Sequence, residues 1–242
     1  MTWSILAREP DGRFGMAIAS RFFAVGALCV HARAGVGALS TQALMNPLYG
    51  PDGMALLGRG LSAAEVVATL TQADDGQAQR QLHVLPARGA GAVHTGGACV
   101  PWCGHLLHDD FSVAGNMLAG PRVIAATAEA FAASAGQPLA RRLILAMQAG
   151  EAEGGDKRGK QSAALRIQGP HDYPELDLRV DDHDDPLGEL QRLHDKSLER
   201  FQPFIACLAT RERPAGELDR ERIEAGIAQF HAQIHAQQRG AA

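Results

Sequence analysis

Apolar residues crowd the first forty positions too densely for helix faces, and turn residues interrupt them at short intervals. Residues 2–8 (TWSILAR) and 13–20 (RFGMAIAS) predict two strands joined through Glu9-Pro10-Asp11-Gly12. In that turn proline presets φ and glycine accepts the left-handed position. Both runs are apolar on nearly both faces, as strands are when each face is covered. Residues 28–33 and 36–41 continue the pattern, so the segment reads as a β-meander, with Gly26, Gly35 and Gly37 at turns or close approaches.

At Ser62 the period changes. SAAEVVATL carries the Ser-x-x-Glu capping box, with Ser62 as N-cap and Glu65 at the third helical position. Strands are expected near 81–86, 91–95 and 111–114, then two amphipathic helices over 119–150, broken at Gly136-Gln137-Pro138. A polar glycine-rich loop, EGGDKRGK, leads to closing strands at 162–167 and 176–180. Asp181 to Asp185 form an acidic loop, and Asp185-Pro186 suits an N-cap and first helical position. Only helix signals follow, roughly 187–209 and 217–238. Strands and helices arrive in blocks, which favours α+β over a doubly wound sheet. The expected division is a core of 1–185 and a helical C-terminal extension of 186–242.

Composition narrows the functional classes. With 27 acidic against 23 basic residues the formal charge is -4, no basis for binding nucleic acid or an anionic membrane. The longest apolar stretch, 24–30, falls well short of the ~18 residues a membrane span needs. The N-terminus lacks a basic region followed by a long apolar one, so a soluble, cytoplasmic protein is expected. Four cysteines in 242 residues do not make a disulfide scaffold and are expected to be reduced.

Candidate chemistry is scattered. Thr2, once Met1 is removed, would carry a hydroxyl and an α-amine on one residue. An amine with a pKa near ~8 is partly neutral at pH 7 and can accept the hydroxyl proton. The plain alternative is a frayed strand end. The loop from Gly154 to Ala164 fails as a phosphate loop, since GxxxxGK[ST] is absent and no helix follows. It is either a solvated hairpin or the rim of a site to which Asp156 and Ser162 contribute. His94, Cys99, Cys103, His105 and His108 could ligate zinc, yet their spacing matches no established finger, and no metal is expected. Asp181 to Asp185 could hold a hard cation, but an acidic loop before a helix also satisfies the helix dipole. Gly115-Asn116 leaves a strand and opens a helix, where amides can stabilise an oxyanion or simply cap. Phe201, Ile205 and Phe230 suggest a packing stripe, against the core or across a dimer.

Taken together, TWSILAR, GMAIASRFFAVGAL, ARAGVGALSTQALMNPLYGPDG, HTGGACVPWCGH, GNMLAG, AGEAEGGDKRGKQSAAL and LRVDDHDDP resemble domain-of-unknown-function family 1028 over about residues 2–190. That family is grouped with the N-terminal nucleophile (Ntn) hydrolases. The resemblance implies a four-layer αββα sandwich with its catalytic residue at the start of the first strand. It implies Thr2 as nucleophile with its own amine as base, and Gly35, with Asn116, as the oxyanion hole. Asp156 and Ser162 would orient the amine. Proteasome-type relatives place a lysine near the threonine, but no lysine here precedes Lys157. Arg21 is the expected substitute, ahead of His31 or Arg33, and Ser20 takes the place of a missing aspartate. The expected protein is a cofactor-free, dimeric amidohydrolase acting on a small amide and matured by removal of Met1. The rivals are a non-catalytic Ntn-like fold serving binding or assembly, and a metal-dependent hydrolase using the His94 to His108 cluster.

Overall fold

Strand β1 (Thr2–Arg8) is buried along almost its whole length, so both of its faces must be covered. It lies in the middle of a sheet, paired antiparallel with β2 (Phe14–Ser20) on one side and β8 (Phe111–Asn116) on the other. The computed structural model describes residues 2–240, with backbone alone at 235 and 237–240. Among the described residues it is a mixed α/β protein of two antiparallel sheets and seven α-helices. The six-stranded sheet is completed by β7 (Gly104–Leu107), β9 (Ser162–Gln168) and β10 (Leu176–Val180), in the order β10-β9-β2-β1-β8-β7. The second sheet has the order β3-β4-β5-β6, from β3 (Val30–Arg33), β4 (Gly37–Ala43), β5 (Arg80–Pro86) and β6 (Ala92–Thr95).

Side-chain alternation decides what each face meets. Trp3 points away from the second sheet, toward helices α3 (Pro121–Ala133) and α4 (Leu139–Ala152), where Gly150 leaves room for its indole. Leu6 points the other way and joins Phe14, Met16, Ala38 and Leu85 in an apolar cluster between the sheets. Helices α1 (Tyr49–Gly58) and α2 (Ala63–Gln72) cover the second sheet through Met54, Leu57, Val66 and Leu70, packed on Leu39 and Leu82. The expected capping box is present: Glu65 N–H donates to Ser62 Oγ at 3.3 Å and Ser62 N–H to Glu65 Oε2 at 2.8 Å.

Several expectations need correction. The opening strands are not one meander: β1 and β2 belong to one sheet, β3 and β4 to the other. Residues 21–29 make the crossing through a short 3-10 turn, Val25–Ala27. Helix α1 and strand β7 were not foreseen at all. The expected helix over 187–209 divides into α5 (Pro186–Glu199) and α6 (Phe201–Ile205). Pro203 explains this, because it has no N–H and its ring crowds the carbonyl four residues earlier. The chain forms two compact units, the first ending at Leu190 and the second beginning at Gln191, within α5. In the second unit, α7 (Arg220–Gly240) is tied by the Arg200–Glu224 ion pair and by His231 on the Leu198 carbonyl. Among the described residues no helix is long and apolar enough to cross a membrane.

Candidate active site

The register of the six-stranded sheet puts four of the expected residues on one rung. Asn116 lies opposite Thr2, Thr2 opposite Ser20, and Ser20 opposite Ser162, across β8, β1, β2 and β9. Residues directly opposed in an antiparallel pair share a face, and Thr2, like Ser4 and Leu6, faces the second sheet. Thr2 Oγ1 and Ser20 Oγ share a hydrogen bond of 3.2 Å. Asn116 Nδ2 donates to the Thr2 carbonyl at 3.4 Å and to Gln81 Oε1 at 3.1 Å.

Thr2 opens on a cavity of about 180 Å³ whose walls include Phe22, Val25, Cys29, Leu44 and Met45. Burial pushes the Cys29 thiol up to about 12, and its Sγ contacts Met45 Sδ at 3.6 Å, so it is an apolar wall rather than a second nucleophile. Of the three non-glycine residues with positive φ among the described residues, one lines the cavity and the other two adjoin residues of the cavity or the rung in sequence. Ala43 (70°) lines the cavity, Ala24 (51°) precedes its wall at Val25, and Met117 (53°) follows Asn116. Such conformations cost of order 1–3 kcal/mol each and collect where function demands them.

Asp156 and Ser162 act one step back from Thr2. Asp156 is 4% exposed; its Oδ2 accepts from the Arg21 amide at 2.9 Å and its Oδ1 from the Arg158 amide at 3.0 Å. Ser162 Oγ donates to the Phe22 carbonyl at 2.5 Å and accepts from the Val25 amide at 3.1 Å. Both therefore fix the chain as it leaves β2 and becomes the cavity wall. The 154–160 loop is accordingly anchored: Leu118 and Asp156 form a bridge, and the Ala119 amide donates to the Gly155 carbonyl at 3.0 Å.

Other expected residues lie elsewhere. Gly35 is in the turn before β4, whereas the cavity touches the far end of that strand at Gln42 and Ala43. Seven residues of strand separate them by roughly 20 Å, so the Gly35 amide is no oxyanion donor for Thr2. The Arg21 guanidinium donates to the Arg158 carbonyl at 3.2 Å on the exposed side, not to the Thr2 hydroxyl. His31 packs against Gly50 and bonds the Leu28 carbonyl, and Arg33 approaches Gly58 on α1. His94, Cys99, Cys103, His105 and His108 form no metal-binding group: His94 bonds the Gln77 carbonyl, Cys99 that of Arg80, Cys103 contacts the Cys99 carbonyl at 3.7 Å, His105 bonds Thr95 Oγ1 at 3.0 Å, and His108 stacks on Phe111. Among the described residues no three His, Cys, Asp or Glu side chains converge.

Sequence reasoning missed a buried polar network that runs between the sheets from the Thr2 rung. Ser4 Oγ donates to Gln42 Oε1 at 2.7 Å, and Gln42 Nε2 to Gln81 Oε1 at 2.8 Å. Gln81 Nε2 donates to Thr95 Oγ1 and to the carbonyls of Gly104 and Gly115. His83 lies between Ser4 Oγ (Nε2, 2.9 Å) and Ser112 Oγ (Nδ1, 2.7 Å). Burial and the nearby His105 push the His83 pKa down to about 3, so the ring is neutral. Since Ser4 spends its proton on Gln42, His83 Nε2–H donates to Ser4 and Ser112 donates to Nδ1. Polar residues at alternate positions of apolar strands, as in Gln81-Leu82-His83, were the available signal.

A larger open groove of about 710 Å³ beside α1 and α2 touches none of the rung residues. At its edge the half-buried Asp74 accepts from Arg80 at 2.9 Å, Tyr49 at 2.8 Å and Asn46 at 3.2 Å.

The chain belongs to a family of unknown function, DUF1028, whose family model matches residues 2–190. Within that class it is similar to protein SPO2555 from Silicibacter pomeroyi, whose crystal structure bears the same family assignment. The identity is 30%, the match covers 90% of this chain and 96% of that one, and the TM-score is 0.83. Anbu (ancestral beta-subunit) from Yersinia bercovieri aligns at 14% identity over 81% of this chain and 94% of that one. Its TM-score of 0.38 is too low to carry any weight. No curated protein matches the chain.

Proposed function

We propose that this protein is an Ntn-type amidohydrolase in which Thr2, with its amine freed, cleaves a small amide. The observation that carries the reading is the Thr2 hydroxyl, held by Ser20 on an inward-facing rung and opening on its own cavity. The positive φ of Ala43 in the cavity wall supports it. So does the succession of helices α3 and α4, two facing sheets, and helices α1 and α2, the order of a four-layer αββα sandwich.

The chemistry balances without a cofactor. The α-amine takes the hydroxyl proton as Oγ1 bonds to the amide carbonyl carbon. Collapse of the tetrahedral intermediate breaks the C–N bond, and the α-ammonium returns its proton to the departing amine. An ester to Oγ1 remains. Water then attacks that carbonyl, gives a proton to the α-amine, and the acid leaves as Oγ1 is reprotonated. Ser20 orients the hydroxyl, Asn116 steadies the Thr2 carbonyl, and Asp156 and Ser162 hold the wall in place. The three lysines are engaged elsewhere: Lys157 donates to the Pro101 carbonyl, Lys160 pairs with Glu151 and Asp185, and Lys196 with Glu199.

Intact mass of untagged protein, before and after a β-lactone that acylates threonine, tests the reading. Loss of Met1 and one adduct, absent in Thr2→Ala, is the expected outcome. Retained Met1 would block the amine and favour the non-catalytic binding or assembly role instead.

A further inference from the structure

The walls of the Thr2 cavity restrict what can enter. Phe22 and Leu44 stand 51% and 60% exposed at its rim, while Val25 and Cys29 are buried within it. Gln42 also lines it, but turns its amide away to Ser4 and Gln81. Among the described residues no lining side chain carries a formal charge. Beyond the Thr2 α-amine, which must be neutral to act as base, the arginines of the adjoining loops are engaged: the Arg21 guanidinium bonds the Arg158 carbonyl, and the Arg158 guanidinium pairs with Asp156 at 3.2 Å. The Cys29 thiol stays protonated, so neutral pH supplies no anion either.

A charged group entering here would lose its water and find no side-chain ion to pair with, and a carboxylate would hold the Thr2 α-amine protonated and so unable to act as base, whereas an apolar group would exchange water for Phe22, Val25, Leu44 and Met45. A dry cavity of roughly 150 Å³ is enough for benzene, and this one measures about 180 Å³. We propose that the cavity is the acyl subsite of the enzyme and selects compact, uncharged apolar acyl groups, a branched four- to six-carbon chain or a phenyl ring. This rests on the amidohydrolase reading above for its catalytic sense. The amine half of the substrate lies outside the cavity, which is why selectivity should reside in the acyl side.

The test uses the untagged full chain and a set of β-lactones that differ only in side chain: isobutyl, phenyl, carboxymethyl and aminopropyl. Adduct formation is timed by intact mass. The isobutyl and phenyl lactones should label Thr2 at least about tenfold faster than the two charged ones, the size of effect that pocket contacts produce. Phe22→Arg, at an exposed position that the fold can spare, should shift the preference toward carboxymethyl. Equal rates across the set, or faster labelling by a charged lactone, would overturn the subsite while leaving Thr2 a nucleophile. If no lactone labels Thr2, the amidohydrolase reading fails, and calorimetry decides the subsite by itself. Isovaleramide binding in preference to succinamate, with the preference weakened in Phe22→Arg, would sustain it; no preference would overturn it.

Discussion

Asp156 shows how a residue can matter to a site it does not touch. Its carboxylate is wholly buried and takes the amides of Arg21 and Arg158 together with the Arg158 guanidinium. Replacing it by alanine strands the Arg21 amide at the end of β2 without an acceptor, a loss of about 1–3 kcal/mol. Asp156→Ala should therefore melt several degrees lower and, because the 21–25 segment forms the cavity wall, label more slowly with a threonine-reactive lactone. An unchanged melting temperature would show that the loop holds itself. The loop and strand-end pattern singled out Asp156, Ser162 and Asn116, family resemblance added Ser20, and strand pairing gathers Asn116, Ser20 and Ser162 on the Thr2 rung. Arg21 illustrates the limit, and alternation could have corrected it: with Ser20 facing inward, the next residue must leave on the other side. Gly35 is different. A turn glycine, here at φ 68°, declares a bend but not which end of a strand the bend adjoins.

At the scale of elements, what was legible is what local chemistry decides. The capping box at Ser62 fixes the start of α2, and Gly136-Gln137-Pro138 separates α3 from α4, without reference to the rest of the chain. What was not legible depends on partners distant in sequence. Nothing within residues 14–43 says that β2 and β4 lie in different sheets, because both are short strands covered on two faces. The closest approach between elements is likewise visible only in three dimensions. A Cβ at Gly150 would strike Thr127 Oγ1 and come within 3.0 Å of Trp3 Nε1 and 3.2 Å of the Val123 carbonyl. Helix α4 would have to lift away from α3 and β1. Gly150→Ala should cost about 1–3 kcal/mol through overpacking, despite alanine's better helix propensity. Chemical denaturation measures this directly; a more stable Gly150→Ala protein would show that the helices pack less tightly than their backbones indicate.

On the scale of the molecule, the two halves of the inter-sheet space differ in kind. One end is filled by Leu6, Phe14, Met16, Ala38 and Leu85; the other, next to Thr2, by Ser4, Gln42, Gln81, His83 and Ser112. A satisfied polar network specifies register more sharply than apolar packing does, since a slipped strand would leave its members unpaired. It also makes stability depend on pH. His83 ordinarily titrates at 6.5 but is held down to about 3 in the fold, chiefly by burial. Above pH 6.5 it is neutral whether folded or not and contributes no slope. Below that, the unfolded chain binds a proton that the folded one refuses, so stability falls as pH drops toward 3. At pH 5 the deficit relative to pH 7.5 is about 2 kcal/mol from this group alone. His31 and His105 are lowered by burial too and add in the same direction. The comparison that isolates His83 is urea unfolding of wild type and His83→Gln at both pH values. His83→Gln has no proton to gain there, so its loss between pH 7.5 and pH 5 should be smaller by that amount. Parallel losses in the two proteins would mean that the ring takes up its proton inside the fold, and that the Ser4–His83–Ser112 chain rearranges to admit it.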